Sequence, residues 1–125
     1  MNTSYPIRIA LVDDHSLVRD GIRALLGVRP SFDVVGEAEN GAQALDLCGR
    51  VSPDILLVDI GLKDMNGLEL TRLLRIQYPD IKILILSMYD NHEYIATSIR
   101  AGASGYVLKN APSKEIIAAI EAIAT

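Results

Sequence analysis

Five polar side chains in this sequence follow apolar runs, and their types fit phosphoryl-transfer chemistry. Asp13 and Asp14 follow Ile7-Arg8-Ile9-Ala10-Leu11-Val12, Asp59 ends Ile55-Leu56-Leu57-Val58, Ser87 follows Leu86, and Lys109 follows Leu108. Carboxylates are hard oxygen ligands for Mg²⁺. An Asp can also act as a nucleophile and become an aspartyl phosphate. A hydroxyl and a lysine can contact phosphoryl oxygens as negative charge builds on them. Three carboxylates brought together would repel one another, which calls for a cation among them or a chemical use for one.

Only a particular architecture can bring these residues together. Strand-like runs are expected at Ile7–Val12, Asp33–Ala38, Ile55–Asp59, Ile81–Leu86 and Gly105–Leu108. The first and third are apolar on both faces, as in the buried strands of a parallel sheet. Each run is separated from the next by room for a helix, so neighbouring strands are expected to be parallel, with right-handed crossovers. Ligands of open α/β sheets bind at the carboxyl ends of the strands, where all five polar residues fall.

Helical periodicity fills the gaps. Val18, Ile22, Leu25 and Leu26 form one stripe, with Gly27 expected as its stop. Asn40 is expected to cap a second helix carrying Ala44, Leu45 and Cys48. Asn66 and Glu69 are spaced as a capping box ahead of Leu70, Leu73, Leu74 and Gln77. Ile95 and Ile99 mark a fourth helix closed by Gly102, and Ser113 is expected to cap a fifth carrying Ile116, Ile120 and Ile123.

Length and composition set the bounds. The chain has 125 residues, 50% of them hydrophobic, no Trp and one Phe, which fits one α/β domain over residues 1–125. A net charge of −4 argues against direct nucleic-acid binding, which needs a basic patch. No apolar run approaches the roughly 18–20 residues that span a bilayer, and Met1-Asn2-Thr3-Ser4-Tyr5-Pro6 has no signal pattern, so a cytoplasmic location is expected. The lone Cys48 excludes an internal disulfide and is expected to be a small core residue. His15 and His92 are expected at the surface, without partners at metal-ligand spacing. Asp64, Glu37 and Glu39 are expected to be solvated loop charges.

With these residues in view, the chain resembles the receiver domains of two-component response regulators, of the NarL/FixJ type. The resemblance rests on Leu11-Val12-Asp13-Asp14-His15 with Leu17-Val18-Arg19-Asp20-Gly21-Ile22-Arg23, on Val58-Asp59-Ile60 with Met65-Asn66-Gly67-Leu68-Glu69, and on Leu86-Ser87 with Gly102 to Lys109. It implies a single doubly wound five-stranded parallel sheet, order 2-1-3-4-5, with helices on both faces. It implies that Asp59 takes a phosphoryl group from a sensor histidine kinase. Asp13, Asp14, Asp59 and the Gly61 carbonyl would hold Mg²⁺, and Ser87 and Lys109 would contact the phosphoryl oxygens. Tyr106 would be an aromatic switch coupled to Ser87. Such a domain is a signalling switch, limited to self-phosphotransfer and autodephosphorylation, and homodimerisation on phosphorylation goes with it. In this type a helix-turn-helix output domain controlling transcription usually follows, and none is present in this sequence.

The chain departs from the pattern at three points. Lys63 and Asn110 stand where proline is frequent, and Gly61 and Tyr89 occupy variable positions beside the site. Two other functions remain in competition. One is an Asp-nucleophile, Mg²⁺-dependent phosphatase or phosphotransferase, although its nucleophile and acid usually lie two residues apart, whereas Asp13 and Asp14 are adjacent. The other is a receiver-like binding module that is never phosphorylated. A flavin-binding domain of the same architecture is disfavoured, because Asp13 and Asp14 would repel a phosphate after the first strand.

Overall fold

Alternate residues of the inner strands face opposite sides of one sheet, and two separate apolar cores result. In the computed structural model, which describes residues 6–124, the elements run β1 (Ile7–Val12), α1 (Ser16–Gly27), β2 (Phe32–Ala38), α2 (Gly41–Val51), β3 (Ile55–Asp59), α3 (Gly67–Gln77), β4 (Lys82–Ser87), α4 (His92–Ala101), β5 (Gly105–Leu108) and α5 (Ser113–Ala124). Residues 1–5 and 125, the ends of the expected domain, lie outside the described residues. The strand order is β2-β1-β3-β4-β5 and every pairing is parallel, as the family resemblance implied.

Ala10, Val12, Leu56, Val58, Ile83 and Ile85 turn to one face, where they pack with Ala44, Leu47 and Cys48 of α2 and Leu70 and Leu74 of α3. Ile9, Leu11, Ile55, Leu57, Leu84 and Leu86 turn to the other, against Leu26 of α1 and Ile116, Ile117 and Ile120 of α5. The period-2 alternation of strands and the 3.6 period of helices meet in both cores. A side chain such as Leu56, fully buried, gains about 1.5–3 kcal/mol from leaving water.

Element boundaries differ from the sequence expectation by one residue at β2, which begins at Phe32, and at β4, which ends at Ser87. Asn40 caps α2 by accepting from the Gln43 N–H at 2.9 Å. Asn66 caps α3, but its side chain takes the Leu68 N–H at 2.6 Å rather than that of Glu69, so the Asn66 half of the expected capping box is not formed. Gly102 closes α4 with φ of 111°, a left-handed conformation that suits a residue without a Cβ. Gly27 does not play that part: it lies inside α1, and the chain leaves through Val28 in a right-handed turn in which Arg29 N–H donates to Leu26 C=O. Ser113 is the first residue of α5 rather than the residue before it.

Cys48 is fully buried on the inner side of α2, and burial pushes its thiol up to about 11. An unfolded thiol titrates near pH 8.5, so this neutral-state preference supports the fold fully below that pH and is lost as pH rises toward 11. Native protein at pH 8 is expected to resist iodoacetamide, with labelling measured by mass following the urea unfolding curve. Stoichiometric labelling of the fully folded protein within minutes would contradict this placement.

Candidate functional site

In a parallel sheet every strand ends on the same edge, so Asp13, Asp14, Asp59, Ser87 and Lys109 share the carboxyl edge although they come from different strands. Backbone bonds continue the ladders past the strand ends and fix their exits. Asp13 N–H donates to Ala38 C=O at 3.1 Å, Ile60 N–H to Leu86 C=O at 3.1 Å, and Lys109 N–H to Ser87 C=O at 2.8 Å.

The side chains of Asp13, Asp14, Asp59 and Lys109 meet at this edge. Lys109 Nζ lies 3.0 Å from Asp13 Oδ2 and 3.1 Å from Asp59 Oδ1, bridging two carboxylates that are almost wholly buried. Burial alone would lower the Lys109 pKa; the close contact with Asp13 and the charges of Asp59 and Asp13 together outweigh it, and the ammonium is held above its ordinary value. Asp59 Oδ1 also accepts the Gly61 N–H at 3.1 Å, which sets the carboxylate's rotation.

One lysine does not balance this group. Asp13, Asp14, His15 and Asp59 each present a ligand-type atom, all within 4.8 Å of one another. Two unit charges at that separation repel by about 3 kcal/mol or more at an effective dielectric near 20. Asp13 Oδ2 and Asp14 Oδ1 are buried and accept no hydrogen bond; their close neighbours are the ion-pair contacts to Lys109 Nζ at 3.0 Å and His15 Nδ1 at 3.1 Å. Buried oxygens with unused lone pairs in a surplus of negative charge suit a hard divalent cation. The residues present therefore fit Mg²⁺.

Ser87 is fully buried, and its Oγ accepts the Tyr89 N–H at 2.9 Å. The Tyr89 C=O in turn accepts the Tyr106 hydroxyl, and the Tyr89 ring stacks on Tyr94 of α4 with centroids 4.5 Å apart. Tyr106 is half-buried in β5. Ser87 is thus joined through one loop residue to Tyr106 and to α4.

Several expectations from the sequence need correction. His15 is exposed, as expected, but its Nδ1 sits 3.1 Å from both Asp13 Oδ1 and Asp14 Oδ1, so it does have partners. Glu37 is not a solvated loop charge; it pairs with Arg19 and Arg23 across the β2–α1 contact. Glu39 lies 3.7 Å from Arg19 Nη2. Asp64, though exposed, accepts the N–H groups of Gly41 at 2.9 Å and Ala42 at 3.0 Å, capping α2 from the loop after β3. The Gly41 bond, with others like it, holds the Asp64 carboxyl below its ordinary value. The partners of Glu37, Glu39 and Asp64 lie 14 to 23 residues away in sequence, beyond any local pattern.

Two residues beside the site had no assigned part in the sequence. Arg19 is buried on α1, with Nη1 donating to the Asp13 C=O. Its position three residues before Ile22 and seven before Leu26, on the inner stripe, was the available signal. Gly67 starts α3 against β3: its N–H donates to Ile60 C=O at 2.9 Å, and a Cβ there would lie 2.7 Å from the Asp59 carbonyl oxygen.

Comparison with known proteins agrees with this geometry. The family model for the response regulator receiver domain matches residues 9–121. The chain is 40% identical over 118 residues to the transcriptional regulatory protein DegU of Brevibacillus brevis, covering 94% of this chain and 50% of that protein. It is 43% identical over 115 residues to the DNA-binding transcriptional activator DevR/DosR of Mycobacterium tuberculosis, covering 92% and 53%. The chain spans about half the length of these curated relatives. A solved signal receiver domain of a NarL response regulator from Mycobacterium tuberculosis superposes with a TM-score of 0.91 at 32% identity, over 96% of this chain and 97% of that one.

Replacing Gly67 by Ala is expected to push α3 off the Asp59–Ile60 backbone and to destabilise the fold by about 1–3 kcal/mol in urea denaturation. Gly21→Ala, where an added Cβ meets nothing within 4 Å, serves as the comparison and should be neutral or stabilising by up to about 1 kcal/mol. Equal stability of the two variants would contradict the close contact.

Proposed function

This chain belongs to the response regulator receiver domain family, and on that premise we propose that it is a phosphorylation switch in which Asp59 accepts a phosphoryl group from a phosphohistidine of a sensor histidine kinase. The observation that carries the reading is the meeting of three carboxylates and one ammonium at the sheet edge, with two buried carboxylate oxygens that accept no hydrogen bond.

Asp13, Asp14, Asp59 and the Gly61 carbonyl would hold Mg²⁺, which when bound offsets the acidic charge and draws phosphoryl oxygens toward the nucleophile. The Asp59 carboxylate attacks phosphorus, a C–O–P linkage forms, the N–P bond of the phosphohistidine breaks, and the imidazole leaves with its electron pair. Lys109, which already touches Asp59 Oδ1, follows the negative charge onto the phosphoryl oxygens. The Gly61 N–H keeps the carboxylate oriented for attack.

Ser87 supplies the readout. Its oxygen accepts from Tyr89 N–H, which leaves the hydroxyl proton free to donate to a phosphoryl oxygen. Movement of Ser87 toward that oxygen carries Tyr89, and with it the Tyr106 hydroxyl and the ring contact to Tyr94. The phosphorylated form then favours a different setting of β5 and α4 because it contacts the two settings unequally. In a longer protein of the kind its relatives represent, homodimerisation through this switch in the cytoplasm would control transcription, with an output domain rather than this acidic domain contacting DNA.

Acetyl phosphate with Mg²⁺ is expected to add one phosphoryl group to the native protein by intact mass, and Asp59→Asn should lose that adduct. Asp14→Asn should weaken Mg²⁺ binding at least tenfold by calorimetry while leaving the fold intact. Labelling of Asp59→Asn at the native level would overturn the assignment.

A further inference from the structure

We propose that Arg19 is a positioning residue for the divalent-ion site, holding the backbone of Asp13 in the setting that aims its carboxylate at the ion. The inference rests on the metal reading above, and it concerns a side chain that reading does not use.

The geometry forms a closed frame around one peptide unit. Asp13 N–H donates to Ala38 C=O at 3.1 Å on β2. On the other side of the same residue, Arg19 Nη1 donates to the Asp13 C=O, while Arg19 Nε donates to Glu37 Oε1 at 3.0 Å, one residue before Ala38. Arg19 N–H also donates to His15 C=O at 3.1 Å, so this residue ties down the loop at both ends of the segment 13–15. Both backbone groups of Asp13 are therefore anchored to the β2 edge, one directly and one through the guanidinium. Its side chain is left to face Lys109 and His15.

Arginine suits the position because its fork reaches a carbonyl and a carboxylate at once in fixed directions, which a single ammonium does less well. The side chain is 11% exposed, so these bonds work largely away from water. A second positive charge behind an acidic group also reduces the repulsion that the three carboxylates feel. Outer-shell partners of metal ligands typically govern affinity by 10- to 100-fold. A buried pair serving stability alone would show none of this in metal affinity.

Arg23 provides the comparison within the same protein. It also pairs with Glu37, but its other bond is to Asp20, and no contact links it to Asp13. Mg²⁺ dissociation constants, measured by calorimetry and by counting free Mn²⁺ in EPR, are expected to rise about tenfold or more in Arg19→Met and less in Arg19→Lys. They should stay within twofold of native in Arg23→Met. Melting curves by circular dichroism, run in parallel, fix a temperature at which each variant is folded. Should Arg19→Met fail to fold, Glu37→Gln loosens the same guanidinium and is expected to weaken binding several-fold. Native affinity in a folded Arg19→Met, or in Glu37→Gln where that variant replaces it, overturns the inference, as does an equal loss in Arg23→Met. If the unaltered protein binds neither Mg²⁺ nor Mn²⁺, the metal reading itself falls.

Discussion

Negative charge concentrated at the carboxyl edge of the sheet is the constraint around which the rest of this molecule is arranged. Three carboxylates within a few ångströms are stable only if positive charge is placed among them. Lys109 bridges Asp13 and Asp59 and supplies part of it. The negative charge that remains suits a divalent ion. Unit charges at these separations interact by several kcal/mol, so a cation placed among the carboxylates would change the local balance by a comparable amount.

The coupling from this charge to the surface has few parts. Ser87, Tyr89 and Tyr106 are joined by two hydrogen bonds, and Tyr89 lies flat against Tyr94 of α4. Met88 and Tyr89, in the intervening loop, are substantially exposed, so this segment is not fixed by core packing. The strand that carries Asp59 is wholly buried, and the one that carries Ser87 is buried from Ile83 onward. A buried sheet thus positions Asp59 and Ser87, and a lightly packed loop lies beside it.

Electrostatic support for the site extends beyond the groups that would touch metal or phosphate. Arg19, Glu37 and Arg23 link α1 to β2, and Asp64 links the loop after β3 to the start of α2. Each of these contacts braces a loop that carries or flanks one of the acidic residues. Charged residues that would read as solvent-facing are used here to hold the connections at the working edge.

The strands and helices were legible in the sequence because their apolar periods are local: a run such as Ile55 to Val58 states its own burial, and Asn40, Asn66 and Gly102 announce helix ends within a few residues. The five polar residues at four strand ends were legible for the same reason, since parallel strands must finish on one edge. Strand order was another matter: spacing alone did not give it, and the family resemblance supplied it. What only the tertiary structure decided was partnership. Lys109 choosing Asp13 and Asp59 together, Tyr106 bonding the carbonyl of Tyr89, Asp64 capping a helix 23 residues earlier, and buried Arg19 gripping the Asp13 carbonyl all depend on chain segments brought together by packing. A sequence records which groups a residue carries, but hydrogen bonds act over about 3 Å, and that distance is set between elements rather than along the chain.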